Sequence, residues 1–131
     1  MPNLIDQRIA DYPPKLQENL QSLRQIVHAV ADKTNGCGTI VEDLKWNQIS
    51  FLTQKPKSGT TIRFDKNATN TISLYVNCNS TLIADFKQHY PDAFQYVGTR
   101  EVVLPTNISG VQAELEHMIA LALTYHKNKR N

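Results

Sequence analysis

The chain has 131 residues, of which 40% are hydrophobic, 20% charged and 8% aromatic. This composition is typical of an ordinary globular protein and excludes collagen-like, coiled-coil and disordered classes. We therefore expect one domain over residues 1–131. Lys and Arg number 14 against 12 Asp and Glu, so the formal net charge is only +2. That charge is too small for a chain that mainly neutralises phosphates, and nucleic acid is not an expected partner.

The N-terminal residues and the cysteines indicate a cytoplasmic location. Asp6, Arg8 and Asp11 interrupt the stretch in which a signal peptide needs an unbroken apolar segment. No stretch reaches the roughly 18 apolar residues of a membrane span, so no membrane association is expected. Cys37 and Cys78 are too few for a disulfide framework and leave no CxxC motif with zinc-ligand spacing.

Helical periodicity dominates the first quarter of the chain. Residues 3–11 predict a short helix. A longer one begins at Pro14, whose missing N–H has no intrahelical partner in a first turn. Apolar side chains then recur at i, i+4 and i+7 as far as Val30, and Gly36 can supply the left-handed residue that ends the helix.

The middle of the chain changes to the alternation typical of strands. Residues 60–65 and 72–78 each place apolar side chains on one face and polar side chains on the other. The short loop between them predicts an antiparallel hairpin, in a register that sets Ile62 opposite Leu74.

A further strand is predicted upstream of this hairpin. Residues 49–53 precede a segment rich in turn-forming residues. Pairing across that turn places Phe51 beside Ile62 and Ser50 beside Arg63. The three strands form a meander with one apolar face.

The last third of the chain returns to helices around a single strand. Residues 81–90 predict a helix that Pro91 ends, and residues 100–104 predict a strand. A second long helix is expected from about Ser109, and its last turns carry Lys127, Lys129 and Arg130, which favour the negative end of a helix dipole. The predicted fold is α+β, with a mostly antiparallel sheet of about five strands packed against the N- and C-terminal helices.

Six short motifs follow one another along the chain. They are Glu42-Asp43-Leu44-Lys45-Trp46, Ser50-Phe51-Leu52, Ser58-Gly59-Thr60-Thr61-Ile62-Arg63, Leu74-Tyr75-Val76-Asn77-Cys78, Phe94-Gln95-Tyr96 and Ala122-Leu123-Thr124-Tyr125-His126. In this order they resemble the YdhG-like family of small, mostly uncharacterised proteins over nearly the full length. The family's Gly and Pro after the tryptophan are replaced here by Asn47-Gln48, which departs from the tight turn of that pattern.

The resemblance implies an α+β fold similar to secretion-chaperone-like folds, and it implies no established reaction. Some relatives have been linked to a frataxin-like iron-chaperone role. The residues here do not favour that role, because the predicted helix from Pro14 to Lys33 contains only Glu18 and Asp32 as acids.

Other candidate metal ligands are scattered. Glu114 and His117 have the i, i+3 spacing of half a di-iron motif, but the second half is missing. His28, His89 and His126 fall on separate predicted helices or helix ends. We therefore expect no metal site and no cofactor.

The most informative group lies on the polar side of the predicted meander. Its members are side chains that could recognise a small polar ligand: Glu42, Lys45, Trp46, Ser50, Thr61, Arg63, Tyr75 and Asn77. The Arg63 guanidinium can hold a carboxylate or a phosphate through two parallel N–H bonds. Tyr75 and Asn77 can orient a ligand, and Trp46 offers a flat apolar wall.

A purely structural interpretation competes with this site. Antiparallel sheets commonly leave one face in water, in which case Arg63 would pair with Glu42 or Asp65 and Trp46 would fill the core.

The sequence gives little support for a catalytic function. Cys78 falls on the apolar parity of its strand, Cys37 has no basic neighbour, and no GxSxG, HExxH or phosphate-binding glycine loop is present.

Three hypotheses follow. The first is a non-enzymatic cytoplasmic domain that binds a small anionic ligand, or an acidic protein segment, on the polar sheet face around Arg63, Tyr75 and Trp46. The second is a homodimeric, chaperone-like interaction protein that uses a sheet edge or a helix face. The third, disfavoured by the missing acidic helix and metal ligands, is a frataxin-like iron chaperone.

Overall fold

In the part of the chain that the structure describes, four α-helices form where the sequence carries apolar stripes. A computed structural model describes residues 4–77 and 80–126. Its helices are α1 (Leu4–Ala10), α2 (Pro14–Lys33), α3 (Leu82–His89) and α4 (Gln112–Leu123), and a 3-10 helix, Ile108–Val111, leads into α4. Pro14 lies in the first turn of α2 as predicted, and Gly36 has a φ of 81° just beyond its C-terminal end. The basic residues Lys127, Lys129 and Arg130 lie outside the described residues.

Over these described residues, the strands form one six-stranded antiparallel sheet in the order β1-β2-β3-β4-β6-β5. They are β1 (Thr39–Lys45), β2 (Gln48–Gln54), β3 (Ile62–Lys66), β4 (Ile72–Tyr75), β5 (Gln95–Val97) and β6 (Glu101–Val103). The predicted α+β class with helices packed on an antiparallel sheet is confirmed. The sheet has six strands instead of about five, because β1 and β5 join the four strands that the sequence located.

One face of the sheet is covered by helices and forms the core. Phe51, Ile62 and Phe64 are at most 1% exposed on this inner face, together with Leu23 of α2 and Leu115 of α4. Burying five such side chains at about 1.5–3 kcal/mol each gives on the order of 10 kcal/mol before chain entropy is subtracted. The opposite face, called the outer face below, carries Ser50, Arg63 and Tyr75. Among the described residues, no helix is long and apolar enough to cross a membrane.

The β2–β3 register is confirmed, whereas the β3–β4 register differs by two residues. Phe51 pairs with Ile62 as predicted, but Phe64, and not Ile62, lies opposite Leu74. The Asn67 side chain accounts for the shift. Its Oδ1 accepts hydrogen bonds from the backbone N–H groups of Thr69 (2.9 Å) and Thr71 (3.1 Å), which moves the loop one residue along the chain. A shift of two residues keeps every side chain on its predicted face.

The predicted helix from Ser109 begins later than expected. Residues 108–111 form the 3-10 helix, and the α-helix begins only at Gln112. The predicted strand 72–78 ends as a regular strand at Tyr75, and Cys78 lies outside the described residues.

The segment Ser58-Gly59-Thr60 joins the sheet to the C-terminal end of α4. The hydroxyl of Ser58 donates to the carbonyl oxygen of Leu123 at 2.7 Å, and the Thr60 N–H donates to that of Ala122 at 3.0 Å. These bonds satisfy carbonyl groups that a helix end leaves without intrahelical partners. Gly59 lies against the same helix end, so no side chain fits there.

The β1–β2 connection is a two-residue hairpin turn with an unfavourable sequence. Lys45 pairs with Gln48, and the two residues between them, Trp46 and Asn47, have φ values of 54° and 62°. Two positive φ values are typical of a type I′ turn, which strongly favours Asn-Gly. A bulky side chain in that conformation is strained, and the Trp46 side chain is 89% exposed.

We expect the double substitution Trp46→Asn with Asn47→Gly to stabilise the protein by about 1 kcal/mol, because it relieves this strain. Urea denaturation measures the change. The matched control is Trp46→Val, which places a β-branched side chain at the same φ and should lower the free energy of unfolding. A double variant less stable than the natural protein would show that the indole makes contacts that outweigh the strain.

Candidate functional site

The outer face contains a cleft of about 370 Å³ at the end of β3 and β4. Its lining residues, which define the outer-face cleft, are Gln48, Arg63, Tyr75, Val76, Asn77 and Arg100. The volume lies within the roughly 300–1,000 Å³ of small-molecule sites. Three predicted site residues, Arg63, Tyr75 and Asn77, therefore come together at one opening.

Arg63 lies at the centre of this cleft. In the sheet it pairs with Ser50 on one side and with Tyr75 on the other, so its guanidinium and the Tyr75 phenol lie on the same face, as parity predicts. Among the described residues, Arg63 forms no salt bridge, and its Nε is buried without a hydrogen-bond partner. The predicted alternative in which Arg63 pairs with Glu42 or Asp65 is therefore wrong. A buried donor without a partner costs about 1–3 kcal/mol, which a purely structural residue would not need to incur.

Arg100 brings a second guanidinium to the cleft. It lies just before β6, and its backbone carbonyl accepts a hydrogen bond from the Val76 N–H at 2.9 Å. The side chain is exposed and makes no hydrogen bond or ion pair within residues 4–77 and 80–126. The cleft thus has two cationic groups whose donors are available to a ligand.

Tyr75 is held by an acidic neighbour on β6. Its hydroxyl donates to Oε2 of Glu101 at 3.3 Å, and Ser73 donates to the same oxygen at 2.7 Å. Burial raises the pKa of Tyr75, and the negative charge and hydrogen bond of Glu101 raise it further. The phenol therefore stays protonated around neutral pH.

Gln48 lies at the other end of the cleft and is held by Asp65. The Gln48 side-chain nitrogen donates to Oδ2 of Asp65 at 3.3 Å, while the buried Tyr12 hydroxyl donates to Oδ1 at 2.6 Å. Arg8 stacks over the Tyr12 ring at 4.6 Å. The connection between α1 and α2 thereby positions one wall of the cleft.

Two of the predicted site residues lie elsewhere. Glu42 pairs with Phe51, so it belongs to the helix-covered face, where it binds Arg24 and His28 of α2. It was grouped with Arg63 because β1 was not predicted as a strand and its parity was unknown. Trp46 does not line the cleft and does not fill the core, since it lies in the exposed hairpin turn.

The remaining predicted residues lie near the cleft without lining it. Ser50 is fully buried beside Arg63, and its hydroxyl donates to the Gln48 carbonyl oxygen at 3.0 Å. Thr61 precedes β3, and Lys45 lies at the end of β1, 3.9 Å from the Asp43 carboxylate.

Sequence reasoning missed Gln48, Val76 and Arg100 as lining residues. Gln48 shares the parity of Ser50 and would have been included had the hairpin turn been placed at Trp46-Asn47. Arg100 follows the turn after β5, and nothing in the local pattern of the sequence indicates that this turn reaches the cleft.

Outside the cleft, histidines contact neighbouring side chains and not a cluster of metal ligands. Within the described part of the chain, no group of three or more His, Cys, Asp or Glu side chains could hold a metal ion. The Nδ1 atom of His117 lies 2.6 Å from the Tyr90 hydroxyl oxygen. The ring centroids of His117 and His89 are 5.0 Å apart. His28 contacts Glu42 at 2.7 Å.

Cys37 is half-buried and does not resemble a reactive thiol. Its sulfur donates to the Gly38 carbonyl oxygen at 3.4 Å. Burial raises the pKa of the thiol, and a hydrogen bond with Ser58 opposes this effect only in part. The thiolate needed for nucleophilic attack is therefore disfavoured.

The fold and the cleft define an α+β protein with a cationic pocket on the open face of its sheet. No protein-family model, no curated protein and no solved structure matches this chain. The YdhG-like resemblance stays a prediction.

Proposed function

We propose that this protein is a non-enzymatic binding protein for a small anionic molecule, which the outer-face cleft holds between Arg63 and Arg100. A cytoplasmic location and YdhG-like membership are parts of the same proposal. The observation that carries it is the pair of arginine side chains in one cleft, neither of which forms an ion pair within the described residues.

The chemistry of the guanidinium supports an anion as the ligand. It offers only donors, never loses its charge at physiological pH, and matches the geometry of carboxylate and phosphate oxygens. Arginine side chains on protein surfaces commonly pair with carboxylates, and Arg24 does so here with both Asp6 and Glu42. Arg63 and Arg100 are left without such partners although Asp65 and Glu101 lie in the adjacent network.

We expect Arg63→Gln to weaken anion binding at least tenfold, because about 1.4 kcal/mol of charge-assisted hydrogen bonding is lost. Isothermal titration calorimetry with inorganic phosphate and with citrate measures the effect, and thermal shift provides a second readout. A ligand at 100 times its dissociation constant should stabilise the natural protein by about 2.7 kcal/mol.

The matched control for this experiment is Lys15→Gln, which removes the same charge from an exposed position on α2. It should leave the affinity for both anions unchanged. If Lys15→Gln and Arg63→Gln weaken binding equally, the effect comes from net charge and the cleft is not the site. If neither anion binds the natural protein, the proposal fails.

A second candidate function is that of a homodimeric interaction protein. Two observations favour it: β1 is a seven-residue edge strand, and Trp46 at its end is 89% exposed. Edge strands readily pair with another chain, and exposed tryptophans are enriched at interaction hot spots. Static light scattering separates the candidates, since a strict monomer at high concentration, unchanged by Trp46→Ala, argues against the dimer.

A further inference from the structure

The hydrogen bonds around the outer-face cleft determine which polar atoms are left for a ligand. The Arg63 and Arg100 guanidinium groups present donors only. Three other polar residues, Tyr75, Gln48 and Asn77, line the cleft, and each of their side chains can either donate or accept. For Tyr75 and Gln48, a neighbouring carboxylate decides which role remains.

Tyr75 is left with its acceptor role. An ionised carboxylate accepts hydrogen bonds and cannot donate, so the contact between the Tyr75 hydroxyl and Glu101 uses the phenolic proton. Glu101 is itself held by the 2.7 Å hydrogen bond from Ser73. What the Tyr75 hydroxyl can offer to a molecule in the cleft is therefore an oxygen lone pair.

At the opposite end of the cleft, a carboxylate that only accepts hydrogen bonds also orients the Gln48 side chain. Because Asp65 accepts only, the amide nitrogen of Gln48 must face Asp65, and the amide oxygen is left for the cleft. Asp65 is fixed by the 2.6 Å hydrogen bond from the buried Tyr12. Two acceptors, on strands β2 and β4, thus flank the central guanidinium.

We infer that the ligand of this cleft is a small hydroxylated anion, in which a phosphate or carboxylate group binds Arg63 and Arg100 while neighbouring hydroxyl groups donate to Tyr75 and Gln48. This inference rests on the proposed function. An anion without hydroxyl groups, such as sulfate, would meet the two acceptors without donors to satisfy them, which weakens its binding.

The test compares two pairs of probes that differ only in hydroxyl groups. Glycerol 3-phosphate is compared with propyl phosphate, and glycerate with propionate, by isothermal titration calorimetry. We expect the hydroxylated member of at least one pair to bind the natural protein about fivefold more tightly, as one or two neutral hydrogen bonds allow. The pair that shows this preference identifies the anionic group.

Two variants assign the preference to its acceptors. In Tyr75→Phe and in Gln48→Met the preference should fall to about twofold or less, and circular dichroism checks that both variants fold. Equal binding within both pairs, with binding still dependent on Arg63, would overturn this inference and leave the proposed function standing. A preference that survives in both variants would also overturn it. If no probe shows Arg63-dependent binding, the proposed function and this inference fail together.

Discussion

Gly59→Ala is expected to destabilise the protein by at least about 3 kcal/mol, since overpacking against rigid backbone is among the most costly single substitutions. A Cβ at position 59 would overlap the backbone carbonyl groups of Ala122 and Leu123 at the end of α4. The neighbouring hydrogen bonds of Ser58 and Thr60 fix the same helix end, so the backbone cannot retreat without breaking them. Urea denaturation followed by circular dichroism measures the loss.

Gly110→Ala is the matched control for this experiment. Gly110 is exposed in the 3-10 helix, and a Cβ built there meets no atom within 4 Å. This substitution should change the free energy of unfolding by no more than about 1 kcal/mol, and reduced entropy of the unfolded chain could make it stabilising. Equal effects of the two substitutions would show that the end of α4 does not press on Gly59.

Local patterns predicted the elements that are buried on one side. Phe51, Ile62 and Phe64 alternate with polar residues because helices cover one face of their strands and the polar side chains lie on the other. The edge strand β1 lacks this contrast, as every residue from Ile40 to Leu44 except the exposed Asp43 is half-buried. With no contrast between its faces, periodicity could not distinguish it from a loop.

The candidate site depended on long-range pairing as much as on local pattern. Parity within β3 and β4 was enough to bring Arg63 and Tyr75 to one face, because any register shift by an even number of residues preserves it. Glu42 required the β1–β2 register, which the unpredicted hairpin turn at Trp46-Asn47 determines. Arg100 required knowledge that β6 follows β4 in the sheet.

Glu42→Gln is expected to lower the free energy of unfolding by about 1–2 kcal/mol at pH 7 and to have a smaller effect at acidic pH, because hydrogen bonds to charged groups are the stronger ones. The Glu42 carboxylate accepts bonds of 2.7 Å and 2.8 Å from Arg24 and contacts His28 at 2.7 Å. Arg24 also binds Asp6, so the carboxylate connects α2 to β1 and, through Arg24, to α1.

The pH dependence follows from the direction of the pKa shift. The hydrogen bonds from Arg24 hold the pKa of the Glu42 carboxyl below its ordinary value of 4.5, against the opposing effect of burial. A carboxyl whose pKa is lower in the folded state contributes stability above its unfolded pKa and loses it as the pH falls through the folded pKa. The difference between the natural protein and the variant should therefore shrink as the solution is acidified below about pH 4.5.

Denaturation with urea at pH 7, 5, 4 and 3 isolates this contribution, because every other acidic group is common to the two proteins and cancels in the difference. Glu116→Gln serves as the control, since its partner Lys33 is 63% exposed and solvent screening leaves such a pair worth little. A Glu42→Gln effect that stays constant from pH 7 to pH 3 would mean that packing of the side chain, and not its charge, connects the helices to β1.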